Sequence, residues 1–325
     1  MSLARREFLR LAAGAATIPM ASQIARAIDY PTRPVHLLVG YAAGGPGDTV
    51  ARLMGQWLSE RLGQSFVIEN RTGAGGNLAT QMVVRARPDG YTLLHATISN
   101  SWNASLYSNL EFNFIRDIAP VAGISREGGV IVVTPSMPVK TIPEFIAYAK
   151  ANPRKINMGS GGVGSPAYLF GELFEIKTGI ELVHVPYRGG GPTVMAMLGG
   201  QVDVFFGPVT VSLQHIRSGK LRALGVTTAA RMDVLPDVPP IGDFVPGYEA
   251  SSWNGIGAPK DTPAEIIDKL NQEINTGLAD PSFKARLANL GADALPMSAS
   301  DFGKFIAHET EKWAEVIRTA GIKAE

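Results

Sequence analysis

Val35-His36-Leu37-Leu38-Val39-Gly40-Tyr41-Ala42-Ala43-Gly44-Gly45-Pro46-Gly47-Asp48 carries a short apolar run through a glycine-rich turn into a helix start marked by a proline and an acid. Three more junctions repeat that chemistry: Gly73-Ala74-Gly75-Gly76-Asn77, Gly159-Ser160-Gly161-Gly162-Val163-Gly164-Ser165, and Tyr187-Arg188-Gly189-Gly190-Gly191-Pro192. The first N–H groups of a helix have no intrahelical acceptor and sit at the positive end of its dipole. Glycine lets an anion approach them closely, so each junction is a candidate anion site. Any single one serves equally well as a tight turn. Four in one chain favour the anion reading, with the second the weakest because Asn70-Arg71-Thr72 ahead of it can simply connect strand to helix.

Outward from these junctions, β-branched apolar runs at Val35–Val39, 66–69, 92–95, 130–133, 182–185, 202–206 and 221–226 alternate with longer amphipathic stretches. Such alternation builds a mostly parallel sheet with helices on both faces, and ligands bind beyond the carboxyl ends of its strands. Helix starts are punctuated by Thr141 with Glu144 and by Thr262 with Glu265, each a reciprocal capping arrangement, and by Ser165-Pro166 and Asp280-Pro281. Leu169, Phe170, Leu173 and Phe174 share one helical face and read as core. Helices over 263–278, 281–290 and 300–320 close the chain with no strand after them, which suggests an outer layer. A proline-rich stretch, 235–246, reads as a surface loop, and 251–258 as a strand returning to the first half. The expected architecture is therefore α/β in two lobes, residues 28–127 plus 251–325 forming a discontinuous first lobe and 128–250 a continuous second.

Residues 1–27 read as a cleaved export signal: Arg5-Arg6-Glu7-Phe8-Leu9-Arg10 has the twin-arginine form, an apolar run follows, and cleavage is expected after Ala27. Removing them takes four of the 30 basic residues and one of the 29 acids, leaving 26 against 28, a net charge of −2. No basic stripe marks a nucleic-acid face, and no later apolar run reaches the length of a membrane span. There are no cysteines, which excludes disulfides, thiolate metal sites, a cysteine nucleophile and a cysteine lipid anchor.

Rival chemistries find less support. Gly159-Ser160-Gly161-Gly162-Val163-Gly164 fits the dinucleotide fingerprint, with Arg188 placed to meet a 2′-phosphate, so an NAD(P)-dependent oxidoreductase is the leading enzyme alternative. Against it, the motif lies mid-chain after a very short strand. Neither Ser160 nor Ser165 makes Gly-x-Ser-x-Gly, and no sequence feature pairs them with a particular histidine. Ser218-Gly219-Lys220-Leu221 lacks the rest of a phosphate-binding loop, and the five histidines lack metal-binding spacing.

Along its length the chain resembles the Bug (TctC-type) substrate-binding proteins of tripartite tricarboxylate transporters. The resemblance runs from Tyr30 to the C terminus. It is carried by Tyr41-Ala42-Ala43-Gly44-Gly45 with Asp48, by Glu69-Asn70-Arg71 leading to Gly73-Ala74-Gly75-Gly76-Asn77, and by Pro88-Asp89-Gly90-Tyr91-Thr92-Leu93. Further segments are 159–165, Val185-Pro186-Tyr187-Arg188-Gly189, Leu198-Gly199-Gly200-Gln201-Val202-Asp203, and Gly219-Lys220-Leu221-Arg222-Ala223-Leu224.

The resemblance implies a type II two-lobed periplasmic-binding-protein fold that closes on a ligand, catalyses no reaction, needs no cofactor or metal, and passes the ligand to membrane permease subunits as a monomer. One ligand carboxylate would be held deep in the cleft by main-chain groups and water, at Tyr41, Ala42, Ala43 and Gly44 from one lobe and Ser160, Gly164 and Ser165 from the other, with Tyr187 and Arg188 close by. Thr97, Ser99, Asn100, Trp102 and Phe206 are candidates for reading the far end of the ligand, Trp102 being equally placed to serve as core. Asp48 is assigned to ordering its helix start, since a carboxylate turned inward would repel an anion. Two positions depart from the family pattern: Tyr41 stands where Phe is common, and Phe206-Gly207-Pro208 replaces a common Phe-Asp pair. Loss of that acid favours ligands without an amine. A sensor that signals to a membrane kinase through the same cleft is the remaining alternative.

Overall fold

The computed structural model describes residues 29–323, and the export signal expected over 1–27 lies outside them. β1 (Val35–Val39) leads to α1 (Pro46–Leu62), β2 (Phe66–Asn70), α2 (Asn77–Val84), β3 (Thr92–Thr97), α3 (Ile98–Leu106) and the short α4 (Phe114–Asp117). Then come β4 (Ile118–Val133), α5 (Ile142–Ala151), β5 (Asn157–Ser160), α6 (Pro166–Thr178), β6 (Val183–Pro186), α7 (Gly190–Leu198), β7 (Val204–Pro208), α8 (Val209–Arg217) and β8 (Arg222–Val226). The chain returns through β9 (Ser251–Pro259), α9 (Ala264–Ala279), α10 (Pro281–Asn289), β10 (Ala292–Ala294) and α11 (Ala299–Ala320).

Among the described residues the strands run in the order β2-β1-β3-β9-β4-β7-β5-β6, with β8 and β10 also paired to β4. β1 is parallel to β2 and β3, and β5 to β6 and β7. The middle is antiparallel, because the outgoing β4 and the returning β9 run in opposite directions. β1 is apolar at almost every position and buried along almost its whole length, as a strand covered on both faces requires.

β4 ties the two lobes together. Its residues up to Gly128 pair with β9, Gly128 facing Ser251, whereas Gly129 already faces Pro208 of β7 and Val130 faces Val226 of β8. Thr227 fixes this change of partners: its N–H donates to Gly129 O at 2.9 Å, and its Oγ1 accepts from the Gly129 N–H at 2.8 Å and donates to Ala250 O at 2.6 Å.

Two sequence expectations are corrected here. Thr262 does not cap α9; its Oγ1 donates back to Pro259 O at 2.7 Å, and Pro263 opens the helix without a side-chain cap. Nor is the tail only an outer layer. α11 buries Phe302, Ile306, Trp313, Val316 and Ile317 along one stripe at helical spacing. Its Trp313 stands edge-on to Trp102 of α3 at 5.3 Å and stacks on Phe170 of α6 at 5.6 Å, so one ring spans both lobes. Trp313 Nε1 donates to the buried Glu309 at 3.1 Å, which removes the cost of an unpaired indole N–H.

Candidate functional site

The first junction leaves β1 at Tyr41. The Tyr41 carbonyl accepts from Asn70 Nδ2 at 2.9 Å, and its hydroxyl lies 3.3 Å from Thr97 Oγ1 and also bonds Ser99. Burial raises the Tyr41 hydroxyl above its usual range, the bonds to Ser99 and Thr97 offset part of this, and Tyr107 adds to it. A Cβ on Gly40 would stand 2.6 Å from Gly76 Cα, so only glycine lets the first and second junctions pack together. The second junction thus buttresses the first, and Asn70 joins them by donating to Asp48 Oδ1 at 2.8 Å as well.

Gly44 adopts φ 80°, the left-handed region, and its N–H donates to the buried Asp48 carboxylate at 2.8 Å. That amide is therefore already partnered. Ala42 and Ala43 are exposed, and among the described residues nothing accepts from their N–H groups. The next helix, α1, has Gly45 at its cap with no side-chain acceptor. Free amides and an uncapped positive helix end therefore coincide at residues 42–47, and a groove of about 520 Å³ lined by Ala43, Gly44, Asp48, Arg52 and Arg286 opens beside them. A hollow of about 740 Å³ between α6 and α11 is roomier, but it lies away from every junction.

The third junction behaves differently. Ser160 is buried; its Oγ lies 2.6 Å from His184 Nε2 and accepts from the Gly162 N–H at 2.9 Å, so this hydroxyl shapes the loop rather than facing a ligand. This serine–histidine pair is invisible in the sequence. Because the serine is enclosed, it has no access to act as a nucleophile. Ser165 caps α6, accepting from the Tyr168 N–H at 3.4 Å. Gly164, at φ 77°, brings the loop against the first lobe, where a Cβ would stand 2.9 Å from Leu106 of α3. The fourth junction adjoins it: Tyr187 N–H donates to Ser160 O at 2.9 Å, and α7 starts at Gly189 with no side-chain cap. Arg188 is exposed and makes no ion pair among the described residues.

Several expected contacts with ligand change place. Phe206 is fully buried, its ring 5.2 Å from Phe174, so it is core and does not read the far end of a ligand. Trp102 is core as well. Asn100 is held in the cap of α3, accepting from the Thr97 N–H at 2.8 Å and donating to Thr80 Oγ1 at 2.9 Å. Thr97 and Ser99 remain beside Tyr41. The sequence reading missed His95, Asn254 and Glu127. For His95 and Asn254 the signal was a polar residue within an otherwise apolar strand, Leu93-Leu94-His95-Ala96 and Trp253-Asn254-Gly255-Ile256, whereas Glu127, in Ser125-Arg126-Glu127-Gly128, carried none.

Residues 50–322 match the family model of the tripartite tricarboxylate transporter family receptor, TctC. The chain belongs to the TctC family. It is 40% identical over 304 residues to the Agrobacterium vitis protein of the TAR-I ttuE-ttuC' intergenic region, spanning 92% of this chain and 88% of that one. Among solved structures, an R. palustris protein with adipate aligns at TM-score 0.81 and 37% identity, covering 90% of this chain and 99% of the other. MatC from Rhodopseudomonas palustris with bound malate aligns at TM-score 0.76 and 31% identity, covering 89% and 100%. TctC proteins are transport receptors, which disfavours the oxidoreductase reading of the Gly159–Gly164 loop. In this TctC chain the loop's own serine and amide satisfy each other.

Proposed function

We propose that this protein is an extracytoplasmic solute-binding protein that captures a small organic carboxylate between its lobes and delivers it to the permease subunits of a tripartite tricarboxylate-type transporter. The observation that carries this reading is the pair of unaccepted amides at Ala42 and Ala43 beside the uncapped start of α1. Such amides replace the water around a carboxylate without adding a formal charge. Its likeness to proteins solved with adipate and malate supports the ligand class.

In this reading Tyr41, Ala42, Ala43, Thr97 and Ser99 hold the ligand from the first lobe, and Gly164, Ser165, Tyr187 and Arg188 from the second. Gly44 and Ser160 order the two loops. The lobes are 28–127 with 251–325, and 128–250, hinged where β4 changes partners at Gly128 and Gly129. The working form is a periplasmic monomer, exported by the twin-arginine route and cleaved after Ala27.

A thermal-shift screen of adipate, malate, other organic acids, glutamate and arginine tests the reading, since a ligand that binds only the folded state raises its melting temperature. Stabilisation by plain acids is expected. Stabilisation by none of them would sink the proposal, and stabilisation by the amines alone would overturn the ligand class.

A further inference from the structure

Glu127 lies on β4 immediately before Gly128, the last residue of that strand paired with β9. Side chains alternate along a strand, so Ser125 and Glu127 share a face. Asn254 lies opposite both Ser125 and Thr97 and donates to Ser125 Oγ at 3.0 Å and to Glu127 Oε1 at 3.1 Å. A polar row thus runs from Thr97, beside the Tyr41 hydroxyl, through Asn254 and Ser125 to Glu127 at the crossing between lobes. The start of α1 covers it, for a Cβ on Gly47 would stand 3.1 Å from His95 Cε1 and 3.7 Å from Asn254 Oδ1.

The second lobe closes the other side. Glu127 pairs with Ala292 of β10, and a Cβ on the neighbouring Gly291 would stand 2.6 Å from Thr210 in the first turn of α8. Pro208, which opens α8, faces Gly129. Glu127 therefore lies at the strand crossing between Asn254, which the start of α1 approaches, and the Gly291–Ala292 segment that meets α8; it is half-buried, with Asn254 as its one hydrogen-bond partner among the described residues.

An ionised carboxylate at that position opposes an anionic ligand, whereas the protonated acid offers it a donor. We propose that Glu127 is a specificity-determining residue of the cleft, donating a hydrogen bond as the neutral acid to the far carboxylate of a dicarboxylate ligand, so that ligand and one proton are taken up together. This rests on the carboxylate-binding reading above. The proton comes from solvent and stays on Glu127.

Burial pushes the Glu127 carboxyl up to about 7, partly opposed by the bond from Asn254. His95 and Asp48 titrate below that range. Burial lowers His95 to about 4 against the pull of Asp48, and Asp48 itself is held at about 2. The first turn of α8, Val209, Thr210 and Val211, has no titratable side chain, and the recess behind β10 adds the charges of Arg231, Asp233 and Asp293. Arg126, on the opposite face of β4, pairs with Glu249.

Calorimetric titration of adipate and malate into the wild-type protein, Glu127→Gln and Glu127→Asp across the neutral range tests this. Wild-type affinity is expected to weaken roughly tenfold per pH unit above about pH 7, as one linked proton requires. Glu127→Gln should be flat and Glu127→Asp should keep a slope. A flat wild-type profile, a slope that survives in Glu127→Gln, or tighter binding at high pH overturns the inference while leaving the carboxylate reading intact. If neither these two acids nor any other organic acid of the thermal-shift screen binds the wild-type protein at pH 6, the carboxylate reading fails and takes this inference with it.

Discussion

The Gly44 amide donates to Asp48 Oδ2 at 2.8 Å, four residues ahead in the chain and at the start of α1. An acid in the first turn satisfies one amide of the junction, orients the turn through Arg52 and Asn70, and leaves the exposed amides of Ala42 and Ala43 for an anion. It is a positioning group, its carboxylate oxygens accepting from the Gly44 amide, Arg52 and Asn70.

That arrangement has a pH signature. Burial alone would raise Asp48, but the bonds from Arg52, Gly44 and Asn70 outweigh it and bring the group from 3.8 to about 2. A carboxyl whose folded value is depressed contributes stability above its unfolded value and loses it as pH falls through the folded one. The difference is worth roughly 2 kcal/mol. Asp48→Asn should therefore lower stability by about 1–3 kcal/mol at neutral pH in urea denaturation. The gap from wild type should narrow as pH falls from about 4 towards 2. A gap that stays constant across that window would refute the assignment.

Arg188 has no ion-pair partner among the described residues, so its removal should leave stability within about 0.5 kcal/mol. If it meets a ligand carboxylate, Arg188→Ala should weaken acid binding about tenfold, the usual worth of a charge-assisted hydrogen bond. Unchanged affinity by calorimetry removes it from the site.

Thr227→Val keeps the shape of the side chain but strips its hydroxyl from the Gly129 N–H and the Ala250 carbonyl at the point where β4 changes partners. Leaving two buried backbone groups unpaired should cost about 2–4 kcal/mol, read from the urea midpoint. A loss below about 0.5 kcal/mol would mean that water or a shifted strand replaces both bonds.

The strand-to-helix junctions were legible because glycine, proline and capping residues mark them locally. The first half of β4 was not: Pro120, Gly123, Arg126, Glu127 and the Gly128-Gly129 pair break any apolar alternation over 118–129, and the segment becomes a strand through its ladder with β9, register shifts included. β5, Asn157-Met158-Gly159-Ser160, is so short and so small in its side chains that the sequence marks it only as a brief run before the glycine loop, and it forms between β6 and β7. The site was read at the level of loops. The shape of the first turn depends on the distant Asn70, which donates to the Tyr41 carbonyl, and Phe206 passes as a cleft residue until Phe174 is seen packed against it. The period of α11 was likewise plain, while its place between the lobes follows only from Trp102 and Phe170 coming to meet it.

That meeting makes Trp313 an intrinsic optical gauge. An indole wedged between a ring from each lobe changes its surroundings whenever one lobe rotates against the other, so its emission should follow ligand capture in the unlabelled protein. Because Trp102 neighbours it, exciton-coupled signals in the near-ultraviolet should shift in step.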